Sequence, residues 1–167
     1  MPVIDPYYFL FDGIGYPDNY HPIETPEGFN VYLLCDTENR SKTIIYQDRD
    51  DFANKNIRAD EDRNRLFSIL AKKLLMCEKA NDLFDLYDDT ELHKAHETKI
   101  NGKTVKVYRI RKSDVRVYLI FLGADIVIFR LSIKLKNKLS STEKQIIDNR
   151  VKVILQNPPS IAIPRLL

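Results

Sequence analysis

Residues 100–134 read INGKTVKVYRIRKSDVRVYLIFLGADIVIFRLSIK. The Asn-Gly pair in Ile100-Asn101-Gly102-Lys103 favours the positive-φ turn of a two-residue hairpin. From Lys103 to Arg111 the residues alternate in polarity. Lys112-Ser113-Asp114 turns the chain, and Val115 to Leu122 forms a second β run. Gly123-Ala124-Asp125 turns it again before a third run, Ile126 to Lys134. Links this short join antiparallel neighbours, because a parallel pair needs a crossover of about a dozen residues. The stretch predicts a three-stranded antiparallel meander.

Downstream, Ser140 and Glu143 have the spacing of a capping box, and Ile147, Val151 and Ile154 follow on one helical face that ends before Pro158. Upstream, the period changes from 2 to 3.6. Leu66, Leu70, Leu74, Cys77, Phe84 and Tyr87 form an apolar stripe from about Asp60, with Asp60, Glu61 and Asp62 at the positive end of the helix dipole. Asn81-Asp82 splits this stripe into a helical hairpin that ends near Asp88-Asp89. Before it, Phe29 to Cys35 reads as a strand, Asp36-Thr37-Glu38-Asn39 as a turn, and Lys42 to Tyr46 as a second strand, together a hairpin. Residues 1–28 read as an extended lead whose aromatics pack onto the body. Five of the eight prolines fall within the first 26 residues and three within the last ten, so regular structure is expected between them. The expected fold is α+β: an antiparallel sheet, a helical hairpin packed on one face, a C-terminal helix, and an N-terminal extension containing a β-hairpin. Residues 1–58 form the acidic extension and residues 59–167 the main domain, together one compact unit.

With 167 residues, 44% hydrophobic and 30% charged, the composition is that of a globular chain and excludes a disordered one. Two cysteines, Cys35 and Cys77, fit a reducing compartment and exclude a disulfide-dense scaffold; both are expected to pack as small apolar groups. No apolar run approaches the roughly 20 residues that span a bilayer. Met1-Pro2-Val3-Ile4-Asp5-Pro6 lacks the basic and apolar segments of a secretory signal. A cytoplasmic protein with no membrane partner is expected.

The net charge of +2 conceals an asymmetry. Lys and Arg number 5 against 13 Asp and Glu in residues 1–62, 6 against 7 in residues 63–98, and 15 against 4 in residues 99–167, so the blocks carry −8, −1 and +11. A basic C-terminal half suggests a polyanionic partner. Strand alternation puts Arg109 and Arg111 on one side of their strand, and Arg116 and Tyr118 on one side of the next. Short antiparallel links can gather these with Lys136 into a basic patch beside Tyr108 or Tyr118. Cations neutralise phosphates and an aromatic ring can stack on an unpaired base. The plainer alternative is a solvated sheet face. The acidic lead is a candidate mask over this patch, with a solvated extension as the alternative.

The string Tyr108-Arg109-Ile110-Arg111, then Val115-Arg116-Val117-Tyr118-Leu119, then Ile126 through Lys138 and the capped helix, resembles the C-terminal half of the RelE/ParE toxin superfamily. The resemblance covers about residues 60–156 and lies nearest the RelE/HigB-like branch. It implies the toxin of a bacterial type II toxin–antitoxin pair, an endoribonuclease that cuts mRNA, usually on the ribosome. The implied partners are mRNA, the ribosome and a cognate antitoxin protein; no cofactor and no metal is implied. By this resemblance Arg116, Lys136 and Arg109 are catalytic, with Arg116 holding the scissile phosphate. Arg111, Tyr108, Tyr118, Arg130, Lys134 and Lys138 contact RNA. The alternatives are a ParE-like gyrase-binding toxin and a non-catalytic RNA- or protein-binding relative. Many RelE-like toxins carry a Tyr or His after the final basic cluster. Here no Tyr lies beyond Tyr118 and no His beyond His96, so the resemblance leaves the proton-transfer residue unassigned. His93 and His96 sit in what reads as a polar helix-to-strand link without a third ligand at a recognised metal spacing. His96 is a candidate general base, since imidazole titrates near neutrality.

Overall fold

The computed structural model describes residues 6–13, 21–25, 28–35, 43–50, 57–133 and 139–159. Its centre is the predicted meander, extended by one strand: β3 (Leu92–Ile100), β4 (Lys103–Lys112), β5 (Val115–Leu122) and β6 (Asp125–Ile133), each antiparallel to the next. Asn101 and Gly102 both take positive φ, 53° and 78°, as the Asn-Gly pair requires. β3 was expected to be a link. Its residues are mostly polar because it is an edge strand, with the edge side of its backbone unpaired in the sheet.

Two further strands, β1 (Tyr7–Leu10) and β2 (Val31–Cys35), complete a six-stranded sheet of order β1-β2-β6-β5-β4-β3. β1 and β2 are antiparallel, whereas β2 lies parallel to β6, with Val31 opposite Ile126 and Leu33 opposite Ile128. The N-terminal hairpin therefore exists with a different partner. The expected second strand at Lys42 to Tyr46 is instead the start of helix α1 (Ile44–Asp50), joined to Cys35 only by an isolated bridge at Thr43. Thr43 caps that helix: its Oγ1 accepts from Tyr46 N at 3.1 Å. Tertiary contacts override the β propensity of Thr43-Ile44-Ile45, because α1 runs beside β6 where β2 has stopped. There the Asp48 carboxylate takes the place of a strand and accepts from Leu131 N at 3.0 Å.

Helix α2 (Ile57–Leu74) starts earlier than expected. Its continuation is a 3-10 turn, Ala80–Asp82, and a single turn of α3 (Leu83–Leu86). Asp82 stops the first helix from running on, because its carboxylate accepts from Glu78 N and Lys79 N at 3.0 and 3.1 Å. Helix α4 (Ser141–Gln156) begins at the predicted cap, with Ser140 Oγ accepting from Glu143 N at 3.1 Å. The reciprocal half of the box is missing because the Glu143 carboxylate turns to Arg130.

The sheet is buried on both faces. Leu66, Phe67, Leu70 and Leu74 of α2 pack on one, against Leu33, Ile110, Val117 and Ile128. Ile147, Val151 and Ile154 of α4 pack on the other, against Tyr32, Val107, Ile120 and Phe129. This is why β5 and β6 are apolar on both sides, as parallel-type central strands are. Among the described residues, no helix is long and apolar enough to cross a membrane.

Candidate nucleic-acid interface

Pairing across the meander aligns two rows of side chains on the α4 face. One row runs His93, Arg109, Tyr118, Arg130; the next runs Arg111, Arg116, Ser132. Two irregularities in register decide the membership. The shift at Ala95 carries both His93 and His96 to this face, opposite Arg109 and Val107. The shift at Phe129 does the same for Arg130, which joins Phe129 on the α4 side. Sequence alternation alone misplaces residues beyond a bulge.

The first row contains arginines of two kinds. Arg130 donates to both oxygens of Glu143 at 2.8 and 2.9 Å and to Asp48 Oδ1 at 2.7 Å. Arg150 of α4 donates to Asp48 at 2.7 and 2.9 Å, and to the Phe129 carbonyl at 3.0 Å. Two carboxylates thus meet two guanidiniums in a neutral, nearly dry network that ties α1, β6 and α4 together. Burial opposes the Arg130 charge, but bonds to Glu143 and Asp48 more than offset it and raise its pKa.

Arg109, Arg111 and Arg116 have no such partners. Among the described residues no carboxylate pairs with any of them. Arg116 is 4% exposed and donates to the carbonyls of Ser113, at 2.5 Å, and Val115, at 3.2 Å. These bonds hold the β4–β5 turn, where Ser113 has φ 51°. Among the described residues, one buried guanidinium nitrogen of Arg109 has no hydrogen-bond partner. Desolvation, then repulsion from Arg116 and Arg111, pulls its pKa down to about 10, which leaves it cationic at neutral pH. Desolvation, then Arg111, depresses Arg116 in the same way, and Tyr118 and the Asp114 carboxylate in the turn offset this only in part. Tyr118 is buried between the two kinds of arginine, and desolvation, then Glu143, raises its phenol pKa although Ser132 hydrogen-bonds to it.

The structure therefore brings together Arg109, Arg111, Arg116 and Tyr118. Tyr108 points the other way, into an aromatic group with Phe84 and Phe121 at centroid distances of 5.0 and 5.5 Å. Arg130 lies on the right face but is held internally. Lys134, Lys136 and Lys138 lie outside the described residues, as do residues 1–5, 14–20 and 26–27 of the acidic lead. His96 is bound to Asp148 of α4 at 2.8 Å. Among the described residues no three His, Cys, Asp or Glu side chains gather as a metal set. Cys35 and Cys77 are buried thiols that donate to the carbonyls of Leu33 and Lys73; desolvation, then Asp82, pushes the Cys77 thiol up to about 11. On the α2 face, a polar depression of about 610 Å³ mixes Arg58, Arg65 and Lys112 with Glu61 and Asp62. It lacks the single sign of charge that marks the arginine cluster.

Sequence reasoning missed Asp48 and Arg150, whose partners are 82 and 102 residues away from Asp48 along the chain. Compared with family models, curated proteins and solved structures, the chain matches none.

Proposed function

We propose that this chain grips RNA phosphates with Arg109, Arg111 and Arg116 and cleaves the strand without a metal. In this reading it is a RelE-like toxin of a bacterial toxin–antitoxin pair that acts on mRNA, with the ribosome and a cognate antitoxin as partners. The observation that carries the reading is the arginine cluster: three guanidiniums on adjacent strands, two of them desolvated, with no acidic partner among the described residues. Such a cluster lowers its own free energy by taking up an anion, and a phosphodiester supplies charge and acceptors to adjacent forks. In the cleavage of RNA the same cations would stabilise the extra negative charge of the phosphorane.

Arg111 is exposed and supports no turn, so Arg111→Ala leaves the fold intact. With a single-stranded RNA oligonucleotide in EDTA buffer, the wild type is expected to bind with strong salt dependence and to cut. Arg111→Ala should weaken binding and lower the slope of log affinity against log salt by about 1. Equal affinity of the two proteins across the salt series would overturn the reading. Binding without cutting would select the non-catalytic RNA-binding relative.

A further inference from the structure

We propose that His93 is the group that takes the proton from the attacking 2′-hydroxyl of the RNA; this rests on the reading that Arg109, Arg111 and Arg116 hold the scissile phosphate. RNA cleavage of this kind needs an acceptor for one proton beside the bound phosphate. The arginines cannot serve, since Arg109 stays protonated to about pH 10. Tyr118 is buried, and its phenol titrates above its ordinary value. His96 is engaged by Asp148. His93 is what remains in the row, and its placement suits the task.

Three features of the structure support this. First, His93 lies directly opposite Arg109 across the β3–β4 ladder, on the face of the cluster, because the bulge at Ala95 comes after it. Second, the ring is half-buried, and the backbone of Asp89, in the turn before β3, lies near enough to act on it in favour of the protonated form. Third, the charged groups that act on it are Arg109 and Arg111 of β4 and Arg116 of β5. Desolvation first, then Arg109, holds its pKa below the ordinary imidazole value, which keeps the ring neutral and proton-accepting at physiological pH. The Asp148 carboxylate of α4 is turned to His96.

The step balances as a transesterification. The 2′-oxygen gives its proton to the unprotonated ring nitrogen of neutral His93 and forms a bond to phosphorus. The bond from phosphorus to the 5′-oxygen breaks, and that oxygen takes a proton from water. The products are a 2′,3′-cyclic phosphate and a 5′-hydroxyl; His93 returns its proton to solvent.

The test compares full-length wild type, His93→Gln and His96→Gln, with RNA binding and cleavage measured separately. His93→Gln should bind within about twofold of wild type yet cut at least about 100-fold more slowly. The wild-type kcat/KM, which reports the free enzyme, should rise with pH through a step below 6.5 and then level off, and this step should vanish in His93→Gln and persist in His96→Gln. As a check that needs no variant, nuclear magnetic resonance follows the His93 ring of the wild type. A 2′-deoxy analogue of the oligonucleotide, which binds but cannot react, should raise its pKa, because the bound anion offsets the arginines. His93→Gln cutting at the wild-type rate, or a His93 titration unmoved by bound analogue, would overturn the assignment while leaving the arginine grip standing. A wild type that fails to bind RNA even at low salt would remove both.

Discussion

Arg130 and Arg109 stand in one row of the sheet, separated only by Tyr118, yet their surroundings are opposite. Arg130 lies in a closed network with Asp48, Glu143 and Arg150, in which two positive and two negative groups satisfy one another. Arg109 lies in an open set with Arg111 and Arg116 and keeps a buried nitrogen without a partner among the described residues. A neutral network needs nothing from outside and serves cohesion. An uncompensated cluster raises the free energy of the folded chain until an anion arrives. The same side chain thus does structural work on one side of Tyr118 and is poised for binding on the other. Charge balance, not residue type or strand position, separates the two roles.

The largest test breaks the closed side. Asp48 touches Arg130, Arg150 and the Leu131 amide, so Asp48→Ala leaves Arg150 with only the Phe129 carbonyl, Arg130 with only Glu143, and the Leu131 N–H without its acceptor. Breaking a buried pair costs about 3–5 kcal/mol. Urea unfolding of Asp48→Ala should show at least that loss at an unchanged slope. A loss under about 1 kcal/mol, the range of an exposed pair, would mean that the network is solvated and that the contrast is false.

The next test applies one substitution to both sides. Methionine keeps much of the arginine stem and removes the charge. Arg130→Met leaves Asp48 and Glu143 short of a partner and should destabilise the protein. Arg109→Met removes a desolvated charge that nothing balances. It should leave stability unchanged or raise it by about 1 kcal/mol while RNA affinity falls. Thermal melts with binding isotherms on the same samples check both. Destabilisation by Arg109→Met comparable to that by Arg130→Met would place Arg109 among the structural arginines.

What could be read from the chain divides along the same line. Local chemistry was legible. Asn101-Gly102 gives the β3–β4 turn, Ser140 starts α4, and alternation sets Arg109, Arg111 and Arg116 on a common face. Long-range compensation was not. Nothing near Arg130 announces Asp48, because the partner comes from a helix 82 residues earlier that the β-branched run Thr43-Ile44-Ile45 disguises as a strand. The parallel pairing of β2 with β6 is equally silent, since no turn joins them. His93 was missed for a third reason. A polar edge strand looks like a link, and the extra residue at Ala95 reverses the parity that separates His93 from His96.

His93 also offers the finest probe of the open side. Its folded pKa lies below the ordinary 6.5, through desolvation and then Arg109. As pH falls from neutrality, the unfolded chain takes up this proton first, near 6.5, and the folded chain only later. Between those two values the unfolded state holds more protons, so stability falls as pH falls, and the effect is complete below the folded pKa. His93→Gln should flatten this part of the stability–pH curve, measured by urea unfolding between pH 7 and pH 5 relative to wild type. Saturating the wild type with the 2′-deoxy oligonucleotide should flatten it as well, since an anion among the arginines brings the folded pKa back toward its ordinary value. No comparable change is expected when Arg130 is replaced, because its charge is already balanced by Asp48 and Glu143 and does not act on His93. A slope that responds to Arg130→Met but not to Arg109→Met would show that the closed network, not the open cluster, sets the field at the histidine.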